Sequence, residues 1–266
     1  MSEVMLRPMG VGDILDATFR LYRANFVTFA LIGLVAYVPY ALVVAPSEAR
    51  GNQAAEFQPG FGARSASPSG PARALGSAVF ALVVLPLCAA AVIVKVSAAY
   101  LDQPLSAWEA YQRAFPRLVP LLFTNLFVTM FIAAGFLLLI VPGIIFSLWC
   151  LVAQPVVIVE SVWGVAAIRR SRELMRDNLS KGFKVALAVF FLTAILAFAL
   201  GLLVELVPWP HVLVGLVLGN ALQALLLPIQ TAPTLLLYYD LRIRKEAFDL
   251  EQLASSIAEA PPASSV

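Results

Sequence analysis

Along most of the chain, apolar residues come in long unbroken runs, and the charged residues are gathered into short segments between them. An uncharged helix of about 20 residues crosses the roughly 30 Å hydrocarbon layer of a bilayer, so such runs predict membrane spans. The first two lie at about 26–45 and 74–96. From Leu118 to Val159 there is no charge at all. As one straight helix this block would run about 63 Å, twice the hydrocarbon thickness, so the chain must turn back. Pro142-Gly143 is the expected turn, which predicts spans at 118–141 and 144–160. Val185 to Tyr239 is interrupted only by Glu205 and His211, and Pro208-Trp209-Pro210 divides it into spans at 185–207 and 212–240. Lipid offers no partner to open N–H and C=O groups, and the strict alternation of a membrane β-barrel is missing, so these runs are read as helices.

The segments between the runs have a different pattern. Ile14, Leu15, Thr18, Phe19, Tyr22 and Phe26 recur at helical spacing, with Asp13, Asp16, Arg20 and Arg23 at other positions. Ser106 followed by Glu109 predicts a capping box, and Trp108, Tyr111 and Phe115 an aromatic face behind it. Gly164 to Gly182 places Val165, Ile168, Met175 and Leu179 together. The expected fold is all-α: a polytopic membrane helical bundle of six transmembrane helices in three hairpins, each preceded by a cytoplasmic interfacial amphipathic helix. RLYRANF at 20–26 and ELMRDNL at 173–179 share Leu, Arg and Asn at equal offsets, an echo that leaves a threefold repeat open. Residues 46–73, rich in Pro, Gly, Ser and Ala, read as a flexible outer loop. The membrane domain is expected to occupy 1–245, and 246–266 a short cytoplasmic helix with a frayed tail.

Composition agrees with this pattern: 61% of the 266 residues are hydrophobic and 13% are charged. A soluble domain has about 25% charged residues. A net charge of +2 gives no cationic surface for nucleic acid, so no nucleic-acid partner is expected. Fifteen of the 18 Lys and Arg fall on one side of a six-span topology, which puts both termini in the cytoplasm of a bacterial cell membrane. No secretory signal peptide is expected, because the first apolar run starts at residue 26, after Glu3, Asp13 and Asp16.

Candidate chemistry is sparse. Cys88 and Cys150 lie in apolar runs and read as buried hydrophobes, and His211 is the single histidine, so neither a metal site nor a cofactor is indicated. The chain has no G-x-S-x-G, no phosphate-binding G-x-x-x-x-G-K-[ST] and no H-E-x-x-H, so no catalytic residue is assigned. Arg169, Arg170, Arg172, Arg176, Lys181 and Lys184, set against Glu173 and Asp177, form a basic segment beside the membrane and are the candidates for anionic lipid headgroups. Plain topogenic charge is the simpler reading of the same residues. Lys95, Glu160 and Glu205 are the charges nearest the bilayer interior; Lys95 and Glu160 are expected to snorkel or to pair with each other. Asn220, Gln223, Gln230 and Thr234 fall within about 80° of one helix face, a stripe expected to face the bundle as packing glue or as a substrate path. Pro39, Pro86, Pro155, Pro228 and Pro233 are expected to kink the spans that hold them.

Four segments taken together, LRPMGVGDILDATFRLYRANF, IVPGIIFSLWCLVAQPVVIVE, GVAAIRRSRELMRDNLSKGF and YYDLRIRKEAFDLEQLA, resemble the bacterial membrane-domain family named after the N-terminal region of membrane-anchored glycerophosphoryl diester phosphodiesterases. The resemblance implies a multi-span helical domain in the cytoplasmic membrane. It implies no activity here, because the phosphodiesterase chemistry of the two-part enzymes resides in a separate barrel that uses catalytic His, Glu and Asp. The expected role is a non-enzymatic membrane scaffold or partner subunit that touches the bilayer, anionic headgroups and a membrane-protein partner or a second copy of itself. A small transporter or lipid-handling protein is the alternative.

Overall fold

The structure is a computed structural model that describes residues 9–35, 37, 79–100, 103–206, 218, 221–222 and 224–259. Every regular element among them is helical. In chain order these are α1 (Val11–Ala24), α2 (Phe26–Val35), α3 (Leu85–Tyr100), α4 (Ala107–Ala114), α5 (Leu118–Leu138), α6 (Ile140–Trp149), α7 (Ala153–Glu160), α8 (Val165–Met175), α9 (Leu179–Leu206) and α10 (Leu227–Glu259). A π-helical turn, Phe80–Val84, leads into α3 just before Pro86, and a 3-10 turn, Phe115–Arg117, joins α4 to α5.

Four helical runs are long and apolar enough to cross a membrane: Leu82–Tyr100, Ala107–Leu138, Ile140–Glu160 and Leu179–Leu203. They correspond to the second, third, fourth and fifth expected spans. Of the first, the apolar helix Phe26–Val35 is described, and of the sixth mainly the part from residue 224. Pro39, the outer loop 46–73, His211, Asn220 and Gln223 lie outside the described residues.

The central hairpin turns earlier than expected. Leu139 alone leaves the helical region (φ −169, ψ 161), and α6 starts at Ile140. Pro142 therefore sits in the first turn of α6, where its missing N–H costs nothing, and Gly143 serves packing rather than turning. A Cβ on Gly143 would stand 2.5 Å from the Phe136 ring, and one on Gly135 3.0 Å from the Gly143 Cα, so both glycines let α5 and α6 close up. Phe131 stacks on Phe146 at 4.3 Å across the same seam.

Two further expectations are corrected. α4 has the predicted capping box, with the Glu109 N–H donating to the Ser106 hydroxyl at 3.2 Å and the Ser106 N–H to the Glu109 carboxylate at 2.8 Å. It runs back along α3: Lys95 reaches the Leu105 carbonyl, and Cys88, two turns earlier on α3, lies 3.3 Å from the Tyr111 hydroxyl. Tyr111 points inward and donates to the Ile32 carbonyl at 2.6 Å, while Trp108 and Phe115 stay exposed. In α8 the buried stripe is Ala167, Ser171, Leu174 and Met175, and Val165 is exposed.

α10 is the axis of the fold and packs against α1, α3, α7, α8 and α9. Leu235, Leu236, Leu237 and Tyr238 are all fully buried, which a helix achieves only when it is covered on every side. It runs without a break across the expected boundary at residue 246. Pro155 and Pro228 lie in the first turns of α7 and α10 and start helices instead of kinking them, whereas Pro233 is inside α10. The opposite environment surrounds the α5–α6 tip, where Leu137 is 90% exposed, and one side of α9, where Phe190, Ile195 and Phe198 are exposed. A large continuous apolar surface of this kind belongs in lipid or against a partner.

Candidate functional site

The charged residues sort into centres at one end of the helices. The first forms around Asp240, which is wholly buried in α10. Its carboxylate accepts from the Met9 N–H at 2.7 Å and from Arg244 Nε at 3.0 Å, one helical turn on, and pairs with Lys181 of α9. Lys181 and Arg244 also donate to the Met9 carbonyl, at 2.6 and 3.4 Å. Both main-chain polar groups of Met9 are thus tied to one centre, which locks the entry to α1 onto α9 and α10.

A second centre forms around Glu160 at the end of α7. Arg170 Nε donates to it at 3.0 Å and the Tyr238 hydroxyl at 2.8 Å. Arg170 also reaches Glu246 at 3.2 Å, and Arg242 donates to Glu246 at 2.8 Å and to the Tyr238 hydroxyl at 3.3 Å. Partial burial works against the charged Arg170 guanidinium, but the Glu160 and Glu246 carboxylates more than offset it and raise its pKa above the ordinary arginine value. Lys245 pairs with Asp177 at 3.1 Å, and the Arg172 guanidinium lies 4.3 Å above the Trp149 ring.

These contacts divide the six headgroup candidates. Arg170 and Lys181 are internal struts between helices, not free cations: Arg170 pairs with Glu160 at the end of the preceding helix and with the distant Glu246, and Lys181 with the distant Asp240. Arg172 stacks on Trp149. Arg169, Arg176 and Lys184 are exposed and have no hydrogen-bond or ion-pair partner among the described residues. Arg169 on α8 and Arg176 just past its last residue are seven residues apart and fall on one face, about 180° from the buried stripe.

The expected Lys95–Glu160 pair does not form. Lys95 is 5% exposed and spends its ammonium on the Leu105 carbonyl at 2.9 Å, so it is held inside rather than snorkelling outward. The side chain of Glu205, like Asn220 and Gln223, lies outside the described residues. Gln230 is exposed, and Thr234 donates to the Thr231 carbonyl of its own helix, so neither makes the expected interhelical bond among the described residues. Interhelical polar pairs form elsewhere, Asn125 with Gln154 at 3.3 Å between α5 and α7 and Tyr239 with Ser97 at 3.0 Å between α10 and α3 among them. Asp240 went unsuspected in the sequence because it ends an apolar run; its spacing from Arg244, one helical turn, was the available signal.

Compared with models of known protein families, with curated proteins and with solved structures, the chain matches none.

Proposed function

We propose that the protein is a non-enzymatic, multi-pass protein of a bacterial cell membrane with six spans in three hairpins, both termini cytoplasmic, acting as a scaffold or partner subunit whose basic end contacts anionic lipid. The observation that carries this reading is the division of the cations. Some of them tie the helices together, while Arg169 on α8 and Arg176 at its C-terminal end are exposed and unpaired among the described residues, just before a helix with a bare apolar side. Each such cation near an anionic surface attracts headgroups by about 1 kcal/mol. The resemblance to the phosphodiesterase membrane domain supports the same placement. Arg169→Gln with Arg176→Gln, in full-length protein in nanodiscs, is expected to lower the preference for phosphatidylglycerol over phosphatidylcholine roughly 20- to 30-fold, from two cations at that energy each. An unchanged preference overturns the lipid role of α8, and tags on the two termini found in opposite compartments overturn the even number of spans.

One observation favours lipid handling as a second reading. An apolar cavity of about 590 Å³ opens between α2, α3 and α4, lined by residues that include Val35, Leu87, Cys88, Trp108 and Phe115. Photocrosslinking from Trp108 to a lipid acyl chain that exchanges between vesicles supports that reading; a crosslink to static lipid alone refutes it.

A further inference from the structure

A second, more polar cavity lies at the Asp240 centre. It is open, measures about 340 Å³, and is bounded by the first turns of α1 and α9 and by Arg244 of α10. Its wall carries three cations, Lys181, Lys184 and Arg244. Two of them, Lys181 and Arg244, share the buried carboxylate of Asp240, and the wall also holds Asp177, which pairs with Lys245, so Lys181, Lys184, Arg244 and Lys245 face two carboxylates. Asp13, at the start of α1, accepts from the Gly10 N–H at 2.7 Å and keeps its charge, so the cavity region has a smaller but still positive balance.

Two of the three cations in the wall are held in place. Asp240 and the Met9 carbonyl fix Lys181 and Arg244, so little side-chain freedom remains to be lost on binding an anion. Arg244 uses Nε and Nη2 in these contacts and keeps Nη1 without a partner among the described residues. Lys184 has no partner there either. Ser180 adds a hydroxyl to the wall, and the open N–H groups of two helix starts add partial positive charge.

We propose that this cavity binds a phosphate group, carried by an anionic lipid headgroup or free in solution, through Lys184, Lys181, Arg244 and Ser180. Phosphate suits the wall better than a carboxylate does, because its several oxygens can accept from side-chain donors that converge from α9 and α10. The volume is at the lower end for ligand sites and takes a headgroup while leaving acyl chains in the bilayer. The headgroup form of the inference rests on the membrane reading above; it does not depend on the α8 arginines.

The test uses the full chain in two settings: nanodiscs of phosphatidylcholine containing phosphatidylglycerol, with retained lipid read by native mass spectrometry, and neutral detergent, with inorganic phosphate titrated by calorimetry. Lys184 is the residue to change, because no described contact depends on it. Lys184→Gln is expected to weaken binding about fivefold and Lys184→Glu about 25-fold, from one and two units of charge at the membrane-surface value. Lys184→Arg restores it. A loss confined to the nanodisc arm identifies the headgroup, and a loss confined to the calorimetric arm identifies free phosphate. Both outcomes support the site. Wild-type binding by Lys184→Glu in both arms overturns it. If lipid preference falls with Arg169→Gln and Arg176→Gln while Lys184→Glu leaves it and phosphate binding unchanged, the α8 reading stands and the cavity fails. The opposite pattern keeps the cavity and removes the α8 patch.

Discussion

Asp240 offers the sharpest test of how the bundle is held. It is fully buried, and two cations on different elements point at it: Lys181, 16% exposed, and Arg244, 40% exposed. Asp240→Asn keeps the shape and an acceptor for the Met9 N–H but removes the charge. Leaving a buried cation without its partner costs about 3 to 5 kcal/mol, and the partial exposure of these two reduces that to about 2 to 3 kcal/mol. Lys181→Met is expected to cost less, about 1 kcal/mol, because Arg244 still neutralises Asp240. The double variant relieves one of the two orphaned cations, so its loss is expected to fall short of the sum by about 1 kcal/mol. At about 2 to 4 °C per kcal/mol for a chain of this size, Asp240→Asn lowers Tm by roughly 4 to 12 °C. A thiol-reactive fluorophore on detergent-solubilised protein reads this directly, since Cys88 and Cys150 are both buried until unfolding. An Asp240→Asn protein that melts within a degree of wild type, or a double variant whose losses simply add, would refute the charge-centre account.

Other sites give further expectations under the same melting assay. Gly33→Ala places a Cβ 2.7 Å from the Ala224 carbonyl oxygen, a backbone atom that cannot swing away, so a loss of about 1 to 3 kcal/mol is expected; an unshifted Tm would mean that α2 does not lie so close. Gly164, at φ +65 and ψ −138, turns the chain between α7 and α8 while its N–H donates to Thr124 at 2.8 Å. Gly164→Ala has open space around its Cβ but a strained backbone, and is expected to lose about 1 to 3 kcal/mol from conformation alone. Ser106→Ala removes one half of the α4 capping box and is expected to cost about 1 kcal/mol, with Ser106→Asp recovering most of it; equal melting of the two variants would argue against the cap.

Solvent preference was written in one dimension. Uninterrupted apolar runs identify helices of membrane length because the bilayer constrains every residue in a span alike, and four such helices stand where hydropathy puts them. The Ser106–Glu109 cap was legible for a similar reason, since both partners lie within one turn. Pairing was not legible. Six basic residues between Arg169 and Lys184 look equivalent along the chain, and nothing local marks Arg170 and Lys181 as struts. Glu160 comes from the neighbouring α7, ten residues before Arg170, while Glu246 and Asp240 arrive only once α10 has threaded the centre of the bundle. The hairpin turn moved from Pro142-Gly143 to Leu139 because a proline is as compatible with the first turn of a helix as with the end of one. The close approach of Gly135 and Gly143 to aromatic rings needs the facing helix in place. Hydropathy is a property each residue carries alone, whereas a charge becomes a strut or a ligand only through a neighbour that folding supplies.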